Sequence, residues 1–171
     1  PQVLDLGTGS GIIPVVLALE MPRAVIYSLD RSPAALGVAS RNARRHGLAH
    51  RIQFIASDWL SGIRPRPFFD AVLSNPPYIA RHAFPLLQPE VQKFEPLLAL
   101  DGGPAGFEIV HALISEAAFV LKPQGWLFME IGYDQEEQAL ATLQANRMYE
   151  HPVVRKDYAG HPRILQARKR K

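Results

Sequence analysis

Val3-Leu4-Asp5-Leu6 runs without a break into Gly7-Thr8-Gly9-Ser10-Gly11, and that in turn into the apolar segment Ile12–Glu20. A short apolar stretch closed by glycines reads as a buried strand. The segment beyond reads as a helix, with Pro14 tolerable because it lies in the first turn. A strand that bends into a helix over glycines opens a βα unit, and the same alternation recurs along the chain. Val25–Leu29 is a second strand ending on Asp30. Ser32 and Pro33 then supply an N-cap and a first-turn proline to a helix with an apolar face of Leu36, Ala39 and Ala43, stopped by Gly47. Ile52–Ala56 and Ala71–Ser74 are further strands, Phe107–Leu121 is a helix, and Lys122-Pro123-Gln124-Gly125 reads as a turn before the strand Trp126–Ile131. Gln135–Ala145 is a last helix, and Val153-Val154 and Ile164–Ala167 are two closing strands. Between Ile79 and Pro104 prolines break the pattern, and a short helix around Leu86–Lys93 is the one regular element suggested. Such a long irregular stretch inside a compact domain is usually functional or disordered.

This order predicts an α/β fold: a doubly wound, mostly parallel seven-stranded sheet with helices on both faces, formed as one domain over residues 1–171. Ligands of such sheets bind beyond the carboxyl ends of the strands. Asp5–Gly11, Asp30, Asp58 and Asn75 all fall at those ends, so four chemically suggestive stations converge on one rim.

Gly7, Gly9 and Gly11 let the backbone turn tightly and leave room for a ligand, although a glycine-rich turn can also simply pack a βα unit. Asp30, at the end of the second strand, is placed to bind ribose hydroxyls. A nicotinamide dinucleotide is disfavoured, because Ile12 stands where its fingerprint needs glycine and because Asp5 would repel a pyrophosphate. The same carboxylate suits the ammonium end of a zwitterion, which S-adenosylmethionine has. Asp58 can accept from the adenine amino group and Trp59 can stack on the rings, or the pair can be a loop acid and a core indole. The expected cofactor-binding set is Asp5, Gly7, Thr8, Gly9, Ser10, Gly11, Asp30, Asp58, Trp59 and Asn75. S-adenosylhomocysteine is the expected product, and no metal is expected.

Asn75-Pro76-Pro77-Tyr78 leaves the fourth strand as a stiff loop: the prolines hold φ near −65° and push their predecessors toward extended conformations. Asn75 offers a side-chain oxygen and Pro76 a carbonyl, two acceptors suited to the N–H groups of a planar amide or amino group. Glu130 lies on an apolar strand, where a charge needs a partner.

Composition limits the alternatives. No apolar run approaches the roughly 20 residues of a membrane span, no secretory signal precedes the first strand, and cysteine is absent, so a cytoplasmic monomer is expected. The histidines form no metal constellation, since Gly47 separates His46 from His50. The net charge is +3, with positives at Arg41, Arg44 and Arg45 and in the tail Arg168-Lys169-Arg170-Lys171. A basic tail suits either nucleic acid or solvent.

The motifs Asp5–Gly11, Asp30, Ser57-Asp58-Trp59 and Asn75–Tyr78 resemble those of class I S-adenosylmethionine-dependent methyltransferases acting on exocyclic or amide nitrogen. Phe94-Glu95-Pro96-Leu97, Ala99-Leu100, Gly102-Gly103, Glu130-Ile131-Gly132 with Gln135, and Lys156–Gly160 with Arg163 narrow the resemblance to the peptide chain release factor glutamine methyltransferases. That resemblance implies methyl transfer to the glutamine of a release factor's Gly-Gly-Gln loop. It implies catalytic roles for Asn75, Pro76, Pro77 and Tyr78, and offers Glu95 as an orienter of that loop. The family's N-terminal helical domain has no counterpart in these residues. The alternative acceptor is an adenine or guanine amino group in DNA or RNA, less favoured because positive charge is scarce.

Overall fold

The computed structural model describes all residues, 1–171. Its strands are β1 (Gln2–Leu6), β2 (Val25–Asp30), β3 (Ile52–Ala56), β4 (Phe69–Ser74), β5 (Leu121–Glu130), β6 (Tyr149–Lys156) and β7 (Pro162–Lys169), and its helices are α1 (Ile12–Glu20), α2 (Pro33–Arg45), α3 (Pro89–Phe94), α4 (Leu97–Leu100), α5 (Glu108–Val120) and α6 (Glu136–Ala145). The sheet has seven strands in the order β3-β2-β1-β4-β5-β7-β6. β1 to β5 pair in parallel, while β7 is antiparallel to both β5 and β6. Chain order runs outward from β1 in one direction and resumes at β4 in the other. The crevice between the ends of β1 and β4 is therefore the topological switch point.

Alternation along the strands feeds two cores. Leu4, Leu6, Leu29, Val72, Leu127 and Met129 face α5 and α6 in the larger one, whereas Val3, Ile26 and Ile52 meet Val15, Ala18 and Ala43 of α1 and α2 in the smaller. Helices thus cover both faces, as the alternation requires. The Ser32 hydroxyl caps α2 by accepting from the Ala35 N–H at 3.2 Å, and Gly47 ends it at φ +71°.

One expectation is corrected. Lys122–Gly125 is not a free turn: it lies within β5, where the register jumps from Phe69↔Leu121 to Ala71↔Trp126 and Gln124 takes φ +67°. Proline and glycine here mark a bulge, since the extra residues still pair at either side. The short helix expected around Leu86–Lys93 is present as α3, Pro89–Phe94, preceded by a 3₁₀ turn (Arg81–Leu86) and followed by α4. No helix is long and apolar enough to cross a membrane.

Candidate active site

Register aligns the rim. Leu6 pairs with Leu29 and Ser74, Asp30 with Ala56, and Ser74 with Met129, so the residues following each strand emerge at one level. The Ser74 hydroxyl donates to the buried Leu6 carbonyl at 2.9 Å, clipping β4 to β1 where the glycine turn and the Asn75 loop diverge.

The glycine turn is held from the N-terminal half. The N–H groups of Gly7 and Thr8 both donate to the Leu29 carbonyl at 2.9 Å, and the Asn42 amide donates to the Ser10 carbonyl at 2.8 Å. Asp30 is half-buried and accepts from Gly9 N through one carboxylate oxygen and from Ser32 N through the other, each at 2.8 Å. Each oxygen keeps lone pairs for a hydroxyl. Gly7 adopts φ +73°, and a Cβ there would lie 3.2 Å from the Trp59 ring and 4.0 Å from the Asn75 carbonyl. Gly9 also has positive φ, but a Cβ there would meet nothing within 4 Å: this glycine faces open space rather than protein.

Asp5 is placed differently from a surface grip on an ammonium group. Its side chain lies on the α1/α2 face of β1, in register with Ser28 of β2, and is 0% exposed. Burial pushes its carboxyl up to about 7, and the negative Asp30 adds to the rise. The Thr8 and Ser28 hydroxyls approach and lower it in part. Neither closes a well-formed hydrogen bond, and both Asp5 oxygens, Thr8 Oγ1 and Ser28 Oγ remain unpartnered. Asp5 therefore lies beneath the turn, enclosed by protein. Asp58 is exposed at the end of β3, and the half-buried Trp59, at φ +49°, lays its indole over Gly7 against the core.

The acceptor loop is held from the other half. Asn75 is exposed and Pro76 buried, and neither the Asn75 amide nor the Pro76 carbonyl is spent on another group of the chain. Tyr78 is fixed at both ends. Its hydroxyl donates to Glu130 Oε1 at 3.0 Å and accepts from Arg163 Nη1 at 3.3 Å, while its carbonyl accepts from Gln135 Nε2 at 3.0 Å. Burial, then the Glu130 charge, raise the phenol above its usual range, against the opposing Arg163, so Tyr78 stays neutral. Gln135 also donates to the Gly106 carbonyl at 2.9 Å and accepts from Gly132 N at 2.9 Å. Gly102 and Gly106 lie so close behind the loop that a Cβ would stand 2.8 Å from the Tyr78 backbone. Arg163 in turn pairs with Asp157 at 3.5 Å, in the hairpin between β6 and β7.

Glu130 thus finds its partner in Tyr78. Glu95 is exposed and makes no hydrogen bond to the loop. The basic tail is largely consumed by the fold. Lys169 Nζ donates to the carbonyls of Ala118 and Leu121 at the end of α5, Arg170 Nε to the Tyr149 carbonyl at 2.9 Å, and the Arg168 guanidinium lies 5.4 Å from the Trp126 ring centre. The supports of Tyr78 were named in the sequence as motif residues, but their roles could not be read there. The signal available was polarity on apolar segments: Glu130 on β5 and Gln135 at the start of α6.

Residues 1–91 match the family model described as "Methyltransferase small domain". The chain belongs to that family. Its curated relatives include proteins named release factor glutamine methyltransferase. One from Thermosynechococcus vestitus is 41% identical over 96% of this chain and 57% of its own length, and one from Moorella thermoacetica is 44% identical over 98% and 59%. The chain thus spans a little under three-fifths of the length of these relatives. The crystal structure of ribosomal protein L11 methylase from Lactobacillus delbrueckii subsp. bulgaricus superposes with a TM-score of 0.72 at 19% identity, covering 99% of this chain and 70% of that one, a likeness of fold. The residues on the rim fit the family's cofactor chemistry. The open space above Gly9 and the lone pairs left on Asp30 leave room and acceptors for a hydroxyl-bearing group.

Proposed function

We propose that this protein is an S-adenosylmethionine-dependent methyltransferase acting on the side-chain amide nitrogen of glutamine, in the Gly-Gly-Gln loop of a peptide chain release factor. The observation that carries this reading is the clip between Ser74 and Leu6, which sets the Asn75 loop beside the glycine turn. The names of the relatives support the choice of acceptor.

Bound S-adenosylmethionine supplies an activated methyl group on a sulfonium. Gly7–Gly11 and Asp30 would hold it, with Asp30 on the ribose and Asp58 toward the adenine. The protein's own contribution is to the acceptor. An amide nitrogen is a poor nucleophile because its lone pair is delocalised into the carbonyl. The Asn75 side-chain oxygen accepts one N–H and the Pro76 carbonyl the other, and both bonds strengthen as positive charge develops on nitrogen. Tyr78, held neutral and fixed by Glu130, Arg163 and Gln135, packs against the amide plane. No general base is needed on the chain, because the proton can leave to solvent once nitrogen is alkylated. Positioning is the main catalytic contribution.

The test is mass spectrometry of a release factor incubated with the protein and S-adenosylmethionine. Gain of one methyl group on the loop glutamine, lost in Asn75→Ala, is expected. An unmodified factor alongside demonstrable cofactor binding would overturn the assignment.

A further inference from the structure

The chain between Arg81 and Leu100 departs from the core. Its 3₁₀ turn, α3 and α4 contain no buried residue. Leu86 is 83% exposed, Phe94 74%, Leu97 62% and Leu98 46%. Ile12, Val16 and Leu19 of α1 are exposed as well, but the excursion's four lie on a segment with no buried residue of its own, and a cluster of exposed apolar side chains marks an interaction surface. Both ends of the excursion are pinned to the acceptor loop. Ile79 N donates to the Leu100 carbonyl at 3.1 Å, Gly102 N to the Ile79 carbonyl at 3.0 Å, and Arg81 N to the Gly103 carbonyl at 3.2 Å. The excursion therefore leaves and rejoins the fold directly beside the Asn75–Tyr78 loop.

Charge decides the class of occupant. The cations Arg81 and Lys93 are matched by Glu90 and Glu95, Arg81 is bound to Asp101 at 2.9 Å, and Lys93 lies over the Phe94 ring at 5.6 Å. A nucleic-acid strand needs uncompensated positive charge along its path, and this segment provides none. A polypeptide with apolar residues near its acceptor side chain needs what the segment has: leucine and phenylalanine anchors within a neutral polar rim.

We propose that the Arg81–Leu100 excursion is the docking surface for the polypeptide carrying the acceptor glutamine, with Leu86, Phe94, Leu97 and Leu98 taking apolar side chains that flank it. This rests on the function proposed above and assigns how that substrate is recognised. The test compares wild type with the triple variant Leu86→Ser, Phe94→Ser, Leu97→Ser, on a release factor and on a short Gly-Gly-Gln peptide too small to span the excursion. All three positions are exposed, so the fold should survive, and unchanged S-adenosylmethionine affinity by calorimetry checks this. The ratio of kcat/KM on the factor to kcat/KM on the peptide is expected to fall at least tenfold, through KM. In wild type, amide hydrogen exchange over residues 86–98 is expected to slow when the factor is added. Transfer to the factor with an unchanged ratio, or with no slowing of exchange, overturns the docking surface while leaving the proposed function intact. Transfer to nucleic acid but not to the factor overturns both.

Discussion

Asp5 makes a quantitative prediction about stability. Its carboxyl is fully buried, and burial raises it from 3.8 to about 7. The unfolded chain releases that proton near pH 4, whereas the folded chain keeps it until about pH 7. Between these values the native state binds more protons, so this group makes stability fall as pH rises. At roughly 1.4 kcal/mol per pH unit, the loss accumulates to about 4 kcal/mol by pH 8. An Asp5→Asn variant has no charge to bury at this position, and the hydrogens of the introduced amide can be accepted by the Thr8 and Ser28 hydroxyls, which lack partners in the native chain. Urea unfolding of both proteins at intervals from pH 4 to pH 8 isolates the effect, because every other group titrates in both. The variant should gain on the wild type by about 4 kcal/mol over that range, most steeply between pH 5 and pH 7. Parallel stability curves would show that Asp5 is ionised at no cost in the fold, and the account of its burial would fail.

Other substitutions separate the two sides of the site. Gly9→Val, projecting into space that the protein leaves open, should weaken S-adenosylmethionine binding at least tenfold by calorimetry while Tm changes by less than about 5 °C, the strained backbone accounting for the change. Asn75→Ala removes an acceptor aimed at developing charge and should lower kcat by about 100-fold at saturating S-adenosylmethionine. Gln135→Ala strands the Tyr78 and Gly106 carbonyls and Gly132 N, and chemical denaturation should register a loss of about 2–4 kcal/mol. Glu130→Gln keeps a hydrogen bond to Tyr78 but removes the charge, so the tyrosine absorbance titration should move to lower pH.

The sequence exposed most readily what strand ends reveal. In a parallel sheet every βα unit delivers its last residue to the same rim, so Asp5, Gly7–Gly11, Asp30, Asp58 and Asn75 could be grouped by counting along the chain. Which of them would touch a ligand is a different matter. Asp5 turns to the α1/α2 face of its strand by simple alternation, and its pairing with Ser28 shows how deeply it is enclosed. The props of Tyr78 were beyond reach for a topological reason: Glu130, Gln135 and Arg163 lie far along the chain and arrive beside it through the β5–β7 pairing. Lys122–Gly125 shows the limit of local punctuation, because the same residues that end a strand can kink one that continues.

The clip between Ser74 and Leu6 has an evolutionary meaning. Every support of the glycine turn comes from before residue 60, through Leu29, Asp30, Asn42 and Trp59, and the supports of Tyr78 come from after residue 100, through Gly102, Gly106, Glu130, Gln135 and Arg163. The molecule is two workshops sharing one wall, the β1–β4 seam. The residues that hold the glycine turn and those that hold Tyr78 occupy separate stretches of the sequence, so, on the proposed function, a chimera joined within β4 should exchange the acceptor and leave the donor untouched.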